Sequence, residues 1–336
     1  MTRVFITGTA GFIGYHLADL LLAEGHEVHG FDGFTDYYDL TLKRRRHERL
    51  LQRPGYVATE AMLEDEAALS AATDDFAPEI IVHLAAQAGV RYSLENPRAY
   101  VDSNLLGTFN VIEAARRHRV AHLLMASTSS VYGANTEMPF AETQKADTPL
   151  TIYAATKKAT EAMGHAYAHL HDIPTTMFRF FTVYGPWGRP DMAPIKFALK
   201  IARGEPIDVY NHGEMWRDFT YVTDLVRGIR LLMDAEPVRP ADGIVPEGDS
   251  LSPVAPFRVV NIGNSESVKL TDFIDALETE LGRPAIRNLM DMQQGDVPAT
   301  WADATLLHRL TGYRPETGFR EGVARFVAWF RDYYRP

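Results

Sequence analysis

The chain has 336 residues, 44 acidic against 34 basic side chains for a net charge of -10, and no cysteine. That length exceeds one ordinary domain and buries a large core, while the negative balance offers no broad positive field to a nucleic-acid backbone, so any anionic ligand must be met by a few local arginines. No disulfide or thiolate metal site is available, Met1-Thr-Arg-Val-Phe-Ile lacks signal-peptide anatomy, and no apolar run nears the roughly 20 residues that span a bilayer; the expectation is a soluble cytoplasmic protein without nucleic-acid or membrane partners.

In chain order, Arg3 to Thr7 is a short β-branched and aromatic run that predicts a strand. Gly8-Thr-Ala-Gly11-Phe12-Ile13-Gly14 then opens a helix lasting to about Glu24, and a second strand runs from Glu27 to Phe31 and ends on Asp32. Strand, glycine turn, helix, strand is a βαβ unit, which implies a parallel sheet. The pattern continues with a buried strand from Ile80 to Leu84, a long helix from Pro97 to His118, a strand from His122 to Ser127, a helix from Tyr153 to His171 and a strand from Thr175 to Phe180. Lys43 to Arg46 is a basic run read as a solvated helix face.

Beyond Phe181 the texture changes. Gly185-Pro-Trp-Gly-Arg189-Pro is turn chemistry, and Asp234 to Pro256, with five prolines, reads as an extended surface loop. Phe257 to Ile262 is again strand-like, Leu270 to Leu281 a helix started by the Ser267/Thr271 region, and Glu321 to Tyr334 a terminal amphipathic helix. The expected fold class is α/β: a doubly wound parallel Rossmann-type sheet over residues 1–178, to which the chain returns near 220–234 and 257–262, with residues 179–336 forming mainly a smaller α/β substrate domain.

Two constellations carry chemistry. Glycines that follow a strand and begin a helix permit a tight turn and close approach to a pyrophosphate, whose charge the helix N-terminus attracts; the same glycines can also serve chain reversal alone. Asp32 stands 18 residues after Gly14 at a strand end, where a carboxylate accepts hydrogen bonds from an adenosine ribose and repels a 2′-phosphate, so NAD is expected rather than NADP. The second constellation is Tyr153 and Lys157, four apart on one helix face. A nearby cation favours the phenolate of a tyrosine whose ordinary pKa is about 10. Taken alone, such a pair is more commonly a packed ring beside a solvated charge.

The glycine spacing, His83-Leu84-Ala85-Ala86, Ser127-Thr128-Ser129-Ser130-Val-Tyr-Gly133, Tyr153-Ala-Ala-Thr-Lys157 and Arg217-Asp-Phe-Thr-Tyr-Val-Thr-Asp224 together resemble the extended short-chain dehydrogenase/reductase family over nearly the whole chain. The resemblance implies bound NAD held by Gly8, Gly11, Phe12, Ile13, Gly14, Asp32, Leu63, Leu84, Ala85, Ala86, Tyr153 and Lys157. It implies Tyr153 as catalytic base, Lys157 as the group that holds the nicotinamide ribose and lowers the tyrosine pKa, and Thr128 as partner of the reacting hydroxyl. Where the family often has Asp before the residue that packs on adenine, this chain has Met62-Leu63.

Family members that act on nucleotide sugars begin by oxidising C4. Dehydratases carry Asp-Glu just before Val-Tyr-Gly, and uronate decarboxylases a Glu at the second position; here these are Ser129 and Ser130. The resemblance therefore implies that the 4-ketone turns over and is reduced on its other face, which is C4 epimerisation. Thr182, in place of the Asn usual for neutral hexoses, and Arg189 resemble the family's UDP-glucuronate 4-epimerases. Hydroxyls of Ser129, Ser130 and Thr182, with a charge-assisted bond from Arg189, would then receive the sugar carboxylate; the lesser reading of Arg189 is that it stabilises its own Pro/Gly-rich turn. For the nucleotide end the resemblance suggests Lys196, Val209, Tyr210, Arg217 and Asp296; Tyr210 stays open between a core aromatic and a ring stacked on the base. Gln87, Arg91 and Ser93 are open between sugar or diphosphate contacts and structural residues. A homodimer through the helices Pro97 to His118 and Tyr153 to His171 is implied as well. Alternatives are a 4-epimerase for neutral or N-acetylated UDP-hexoses, a UDP-glucuronate decarboxylase and, from another class, a non-catalytic NAD-binding scaffold.

Overall fold

The computed structural model describes residues 1–335. Seven strands, β1 (Arg3–Thr7), β2 (Glu27–Asp32), β3 (Tyr56–Glu60), β4 (Ile80–His83), β5 (His122–Thr128), β6 (Thr175–Phe180) and β7 (Phe257–Ile262), form one sheet in the order β7-β6-β5-β4-β1-β2-β3. Every neighbouring pair is parallel. Strand order reverses between β1 and β4, which opens a crevice at the carboxyl ends of these strands.

The strands read as nearly continuous apolar runs because both sheet faces are covered. Val4 and Ile6 of β1 point into one core with Leu17, Leu21, Leu124, Phe178 and Ile229, while Phe5 points into the other with Phe31, Ile81, Val111, Leu123 and Met177. Helix Val222–Leu232 packs on helix Phe12–Ala23, and β7 closes the sheet edge beside β6. A third core holds residues from helices Ala193–Arg203, Leu270–Leu281 and Phe319–Tyr334 together with Ile207, Val209, Phe219 and Tyr221. There the Phe219 and Phe273 rings stack at 4.5 Å. Small ladders link Thr182–Tyr184, Trp216–Tyr221, Ser267–Lys269 and Ala299–Thr300. No helix of the described residues is long and apolar enough to cross a membrane.

Several expectations change. The helix predicted from Pro97 to His118 is π-helical over Val101–Gly107, between α-helical Pro97–Tyr100 and Thr108–His118. The widened turn places Asn104, fully buried, so that it accepts the Gln87 amide at 2.8 Å and donates to the Gln87 carbonyl at 3.1 Å and to Thr156 at 3.2 Å. Helix Leu270–Leu281 has Lys269 at its N-cap with no side-chain cap, because Ser267–Lys269 is a strand paired with Trp216–Asp218. Nor is Lys43 to Arg46 a solvated face. Lys43 and Arg46 are buried, the former bonded to the Thr35 carbonyl at 2.6 Å, and only Arg44 and Arg45 face outward.

Helix Ile152–His171 is fixed to the sheet by a buried ion pair. Arg179 of β6 gives Glu161 two hydrogen bonds, at 2.9 and 2.8 Å, and Ser127 of β5 gives a third at 2.7 Å. Burial opposes the Glu161 charge, but the bonds and charge of Arg179, with Lys158 and Ser127, prevail and hold its carboxyl below the usual range. Its stabilising contribution is therefore present above the unfolded carboxylate pKa and is lost as pH falls through the depressed folded value. Arg179→Met, which strands a buried carboxylate, should cost about 3–5 kcal/mol in urea unfolding at pH 7, and the deficit should shrink toward acid pH as Glu161 protonates. A loss under about 1 kcal/mol at pH 7 would show that the pair does not anchor the helix.

Candidate active site

The glycine turn lies at the head of the crevice. Gly8 adopts φ +84°, and a Cβ there would sit 2.8 Å from the Ala85 amide nitrogen; a Cβ on Gly14 would run into the Gly8 carbonyl. Both positions therefore demand glycine. Gly11 caps helix Phe12–Ala23 without offering a side chain, which leaves the first-turn amides for an anion. Asp32 takes the Ala10 amide on one oxygen at 3.0 Å and the Phe34 amide on the other at 2.9 Å, with lone pairs left for hydroxyls. A cradle that a Cβ would fill, next to a carboxylate at a strand end, fits a dinucleotide pyrophosphate and ribose. The nearby Arg44 has both terminal nitrogens on Glu60 at 2.6 Å, in an exposed ion pair.

Tyr153, Lys157 and Glu161 form one stripe on their helix, at positions i, i+4 and i+8. Glu161 holds Ser127, Lys157 donates to the Ala126 carbonyl at 2.9 Å, and the Tyr153 phenol faces the Thr128 hydroxyl. Thr128 ends β5 and caps the short 3-10 helix Ser129–Tyr132, accepting from the Ser130 amide at 3.2 Å and donating to the Ser130 hydroxyl at 3.3 Å. Three successive helical turns thus dock on the last three residues of one strand.

Burial raises the Tyr153 pKa, against which the Thr128 hydroxyl and the positive charge of Arg189 pull downward. Lys157 is lowered to about 8, by burial first, with Glu161 opposing. Arg189 is a cation acting on the phenol that the sequence did not point to, Lys157 being the one the resemblance gave that part. Burial first, with the Lys157 charge adding to it, lowers His83 to about 3, and its ring bridges Thr7 at 2.7 Å and Thr108 at 2.9 Å.

Arg189 forms a forked pair with Asp191 through Nε at 3.1 Å and Nη2 at 2.5 Å, leaving Nη1 outside the pair. Tyr37 donates to the same carboxylate at 3.2 Å, and its ring lies 5.7 Å from the guanidinium. The Tyr100 ring stands edge-on to Tyr153 at 5.9 Å. Ser129, Ser130 and Thr182 are half-buried. Further out, Asp296 sits between Arg217 at 3.6 Å and Arg91 at 3.7 Å, and the Arg91 guanidinium lies over the Tyr210 ring at 4.7 Å. Tyr210 is thus a half-buried ring beside a cation rather than a core aromatic.

The NAD dependent epimerase/dehydratase family model matches residues 4–244. The chain belongs to that family. A probable UDP-glucuronate 4-epimerase of Rhizobium meliloti is 57% identical over 99% of this chain and 98% of its own length. A Bacillus cereus UDP-glucuronic acid 4-epimerase, solved with UDP-glucuronic acid and NAD, superposes with a TM-score of 0.87 at 29% identity, covering 99% of this chain and all of that one. A Thermotoga maritima UDP-glucose 4-epimerase with UDP-glucose gives 0.86 at 25% identity, covering 99% of both chains.

Not every expected residue of this epimerase/dehydratase chain faces the crevice. Leu63 is 5% exposed, packed with Phe5 and Phe31, whereas Met62 is 41% exposed and lies against Gly33. The side chain available to an adenine is therefore that of Met62. Phe12 is a core residue and Ile13 packs against the same core. Leu84, Ala85 and Ala86 follow β4 and are half-buried along the crevice. Val209 is fully buried in the third core, so its side chain cannot touch a ligand. Ser93 is buried and spends its hydroxyl on the Val90 carbonyl at 2.6 Å; Gln87 has its backbone clamped by Asn104 and its side chain bonded to the Ala88 carbonyl at 3.2 Å. Lys196 is exposed on helix Ala193–Arg203. Tyr37, Asp191 and Tyr100 were not singled out from the sequence. Asp191, two residues after Arg189, was the readable signal, since an acid so placed can pair with it across a turn.

The folded pKa of Lys157 lies below its unfolded value, so burying this amine costs stability at all pH values below about 8, and the cost is relieved as pH rises from 8 toward 10.5. Lys157→Met should accordingly be more stable than wild type at pH 7, by about 1–3 kcal/mol after losing the Ala126 bond, with the advantage shrinking at alkaline pH. Thermal melts at pH 7 and pH 9.5 check this, and a destabilised variant at pH 7 would contradict it.

Proposed function

We propose that the chain catalyses NAD-dependent C4 epimerisation of UDP-glucuronate to UDP-galacturonate. The observation that carries this reading is Arg189, whose positive charge reaches the Tyr153 phenol, together with hydroxyls and no acid at positions 129 and 130. Gly8, Gly11, Gly14 and Asp32 would hold the pyrophosphate and adenosine ribose of NAD, and Lys157 the nicotinamide ribose. When bound, NAD supplies the hydride acceptor and donor.

Tyr153 takes the proton of the sugar 4-hydroxyl, with Thr128 bonded to the same oxygen. Burial that disfavours the phenolate outweighs the opposing pull of Thr128 and Arg189 in the free protein; the positive charge of bound NAD would add to that pull, and the phenol would then pass a proton in either direction as C4 is oxidised and reduced on opposite faces. An elimination or ring-opening step would need a further acid and base near C5 and C6, and Ser129 and Ser130 are neither. Arg189, Ser129, Ser130 and Thr182 grip the C5 carboxylate. Oxidation at C4 makes a β-keto acid, which loses carbon dioxide when the breaking bond aligns with the carbonyl π system; a clamped carboxylate is kept out of that alignment. Arg217, Arg91 and Asp296 line the diphosphate and ribose end, with Tyr210 beside the base.

We also read the chain as a homodimer through the helices around Phe109 and Leu170. Leu106 at 49%, Phe109 at 41% and Leu170 at 70% exposure leave an apolar strip there for a second copy.

Purified protein should interconvert the two UDP-uronic acids without added reductant, as followed by NMR. Tyr153→Phe should lose about 10²-fold or more in kcat. Arg189→Ala should lose about tenfold more in kcat/KM for UDP-glucuronate than for a neutral UDP-hexose, the loss common to both reporting its pull on the Tyr153 phenol. Carbon dioxide and a UDP-pentose as main products would refute the epimerase reading, and equal losses on both sugars would refute the role of Arg189.

A further inference from the structure

Arg46 is fully buried, yet no carboxylate among the described residues pairs with it. Its Nε and Nη2 both donate to the Trp187 carbonyl, at 3.1 and 2.5 Å, and Nη2 donates again to the Gly188 carbonyl at 3.0 Å. Nη1 donates to the Ala10 carbonyl at 2.9 Å and to the Tyr38 hydroxyl at 3.0 Å. One guanidinium therefore ties helix Leu40–Leu51 to two distant segments, the glycine turn and the loop leading to Arg189. An uncompensated buried charge is costly, and here three carbonyls and the Tyr38 hydroxyl sustain it.

What those acceptors hold is strained. Trp187 adopts φ +60°, a region that bulky side chains rarely enter. Its ring is fixed between Tyr15 at 5.8 Å, the Arg49 guanidinium at 5.2 Å, and Trp329 and Tyr333 of the terminal helix at 5.8 and 5.3 Å. Its carbonyl is fixed by Arg46, and His16 bonds the preceding Pro186 carbonyl at 2.9 Å. With ring and carbonyl both pinned, the backbone direction at Gly188 is set, and Arg189 follows. The opposite end of the Arg46 fork grips Ala10, whose amide is bonded to Asp32.

We propose that Arg46 is a positioning residue for substrate recognition: by holding Trp187 and Gly188 against the glycine turn, it delivers the Arg189 guanidinium to the sugar carboxylate. The proposal rests on the UDP-glucuronate reading, and it makes Arg46 act through Arg189 rather than through the fold at large. Lysine keeps the charge but cannot satisfy five hydrogen bonds to four acceptors in a fixed fork, so Arg46→Lys isolates the geometry from the charge.

The test is a double-mutant cycle read by binding, in a Tyr153→Phe background that does not turn over, loaded with NAD. Dissociation constants for UDP-glucuronate and for UDP are measured by calorimetry for the parent, Arg46→Lys, Arg189→Ala and the double variant. Arg46→Lys should weaken UDP-glucuronate about tenfold and UDP less than twofold, and should add less than twofold once Arg189 is already alanine. An equal loss for UDP and UDP-glucuronate, an unchanged UDP-glucuronate affinity, or full additivity with Arg189→Ala would each overturn the proposal. Should Arg46→Lys fail to fold, Tyr38→Phe, which withdraws one acceptor from the same guanidinium, replaces it, with a smaller loss of about two- to fivefold but the same selectivity and the same dependence on Arg189. Failure of the functional reading shows separately, as Tyr153-intact protein that does not interconvert the UDP-uronic acids.

Discussion

The docking of a single helical stripe on the end of β5 governs this structure. Glu161, Lys157 and Tyr153 meet Ser127, Ala126 and Thr128 in turn, and the buried Glu161–Arg179 pair fixes the rotation of the helix. A helix free to roll would carry the phenol away from Thr128 by several ångströms per few tens of degrees, because the side chain extends well beyond the helix axis. The ion pair is worth less as a source of net stability than as a constraint on geometry: a hydrophobic replacement of both partners could match its energy without reproducing its direction.

That constraint sits at the boundary of two differently built units. The parallel sheet supplies the glycine turn, Asp32, Thr128 and the Tyr153 helix, while Thr182, Arg189, Arg217 and Asp296 come from segments beyond β6. In a chain of net charge -10, cations at the crevice are few and each is individually held. Arg189 is fastened by Asp191, Arg217 by the Trp216 and Val297 carbonyls, both at 2.8 Å, and Lys157 by the Ala126 carbonyl. Charges already held in place need little reorganisation when a carboxylate, a diphosphate or a developing oxyanion arrives. Burying Lys157 at the expense of stability is the same trade seen from the folding side.

Much of this was legible in the sequence wherever a local rule governs. β1, β6 and β7 fall where their β-branched and aromatic runs place them, and the glycine turn followed by Asp32 lies at the crevice because only glycine fits at Gly8 and Gly14. Tyr153 and Lys157 face the same way because helical spacing requires it. The residues that escaped notice depend on contacts far apart in the chain. Arg46 reads as one of four consecutive basic residues, and nothing local reveals that the Trp187 and Gly188 carbonyls await it. The π-helical turn at Val101–Gly107 follows from Asn104 reaching Gln87, which no periodicity records. Arg179 was visible as a lone charge in an apolar strand, but its partner Glu161 is identified only once the helix is docked. Val209 and Leu63 were placed at the site by resemblance, whereas packing turns both side chains into cores.

The central claim is that the hydrogen on C4 leaves the sugar and returns to the same carbon on the other face while the carboxylate stays in place. It is tested most directly by incubating UDP-glucuronate deuterated at C4 with the purified enzyme in ordinary water and analysing the UDP-galacturonate formed. Full retention of deuterium at C4, with the C6 carboxylate intact, is the predicted result. Replacement of that deuterium by solvent hydrogen would contradict the account, since it would mean that the stereocentre is inverted by proton exchange rather than by hydride removal and return.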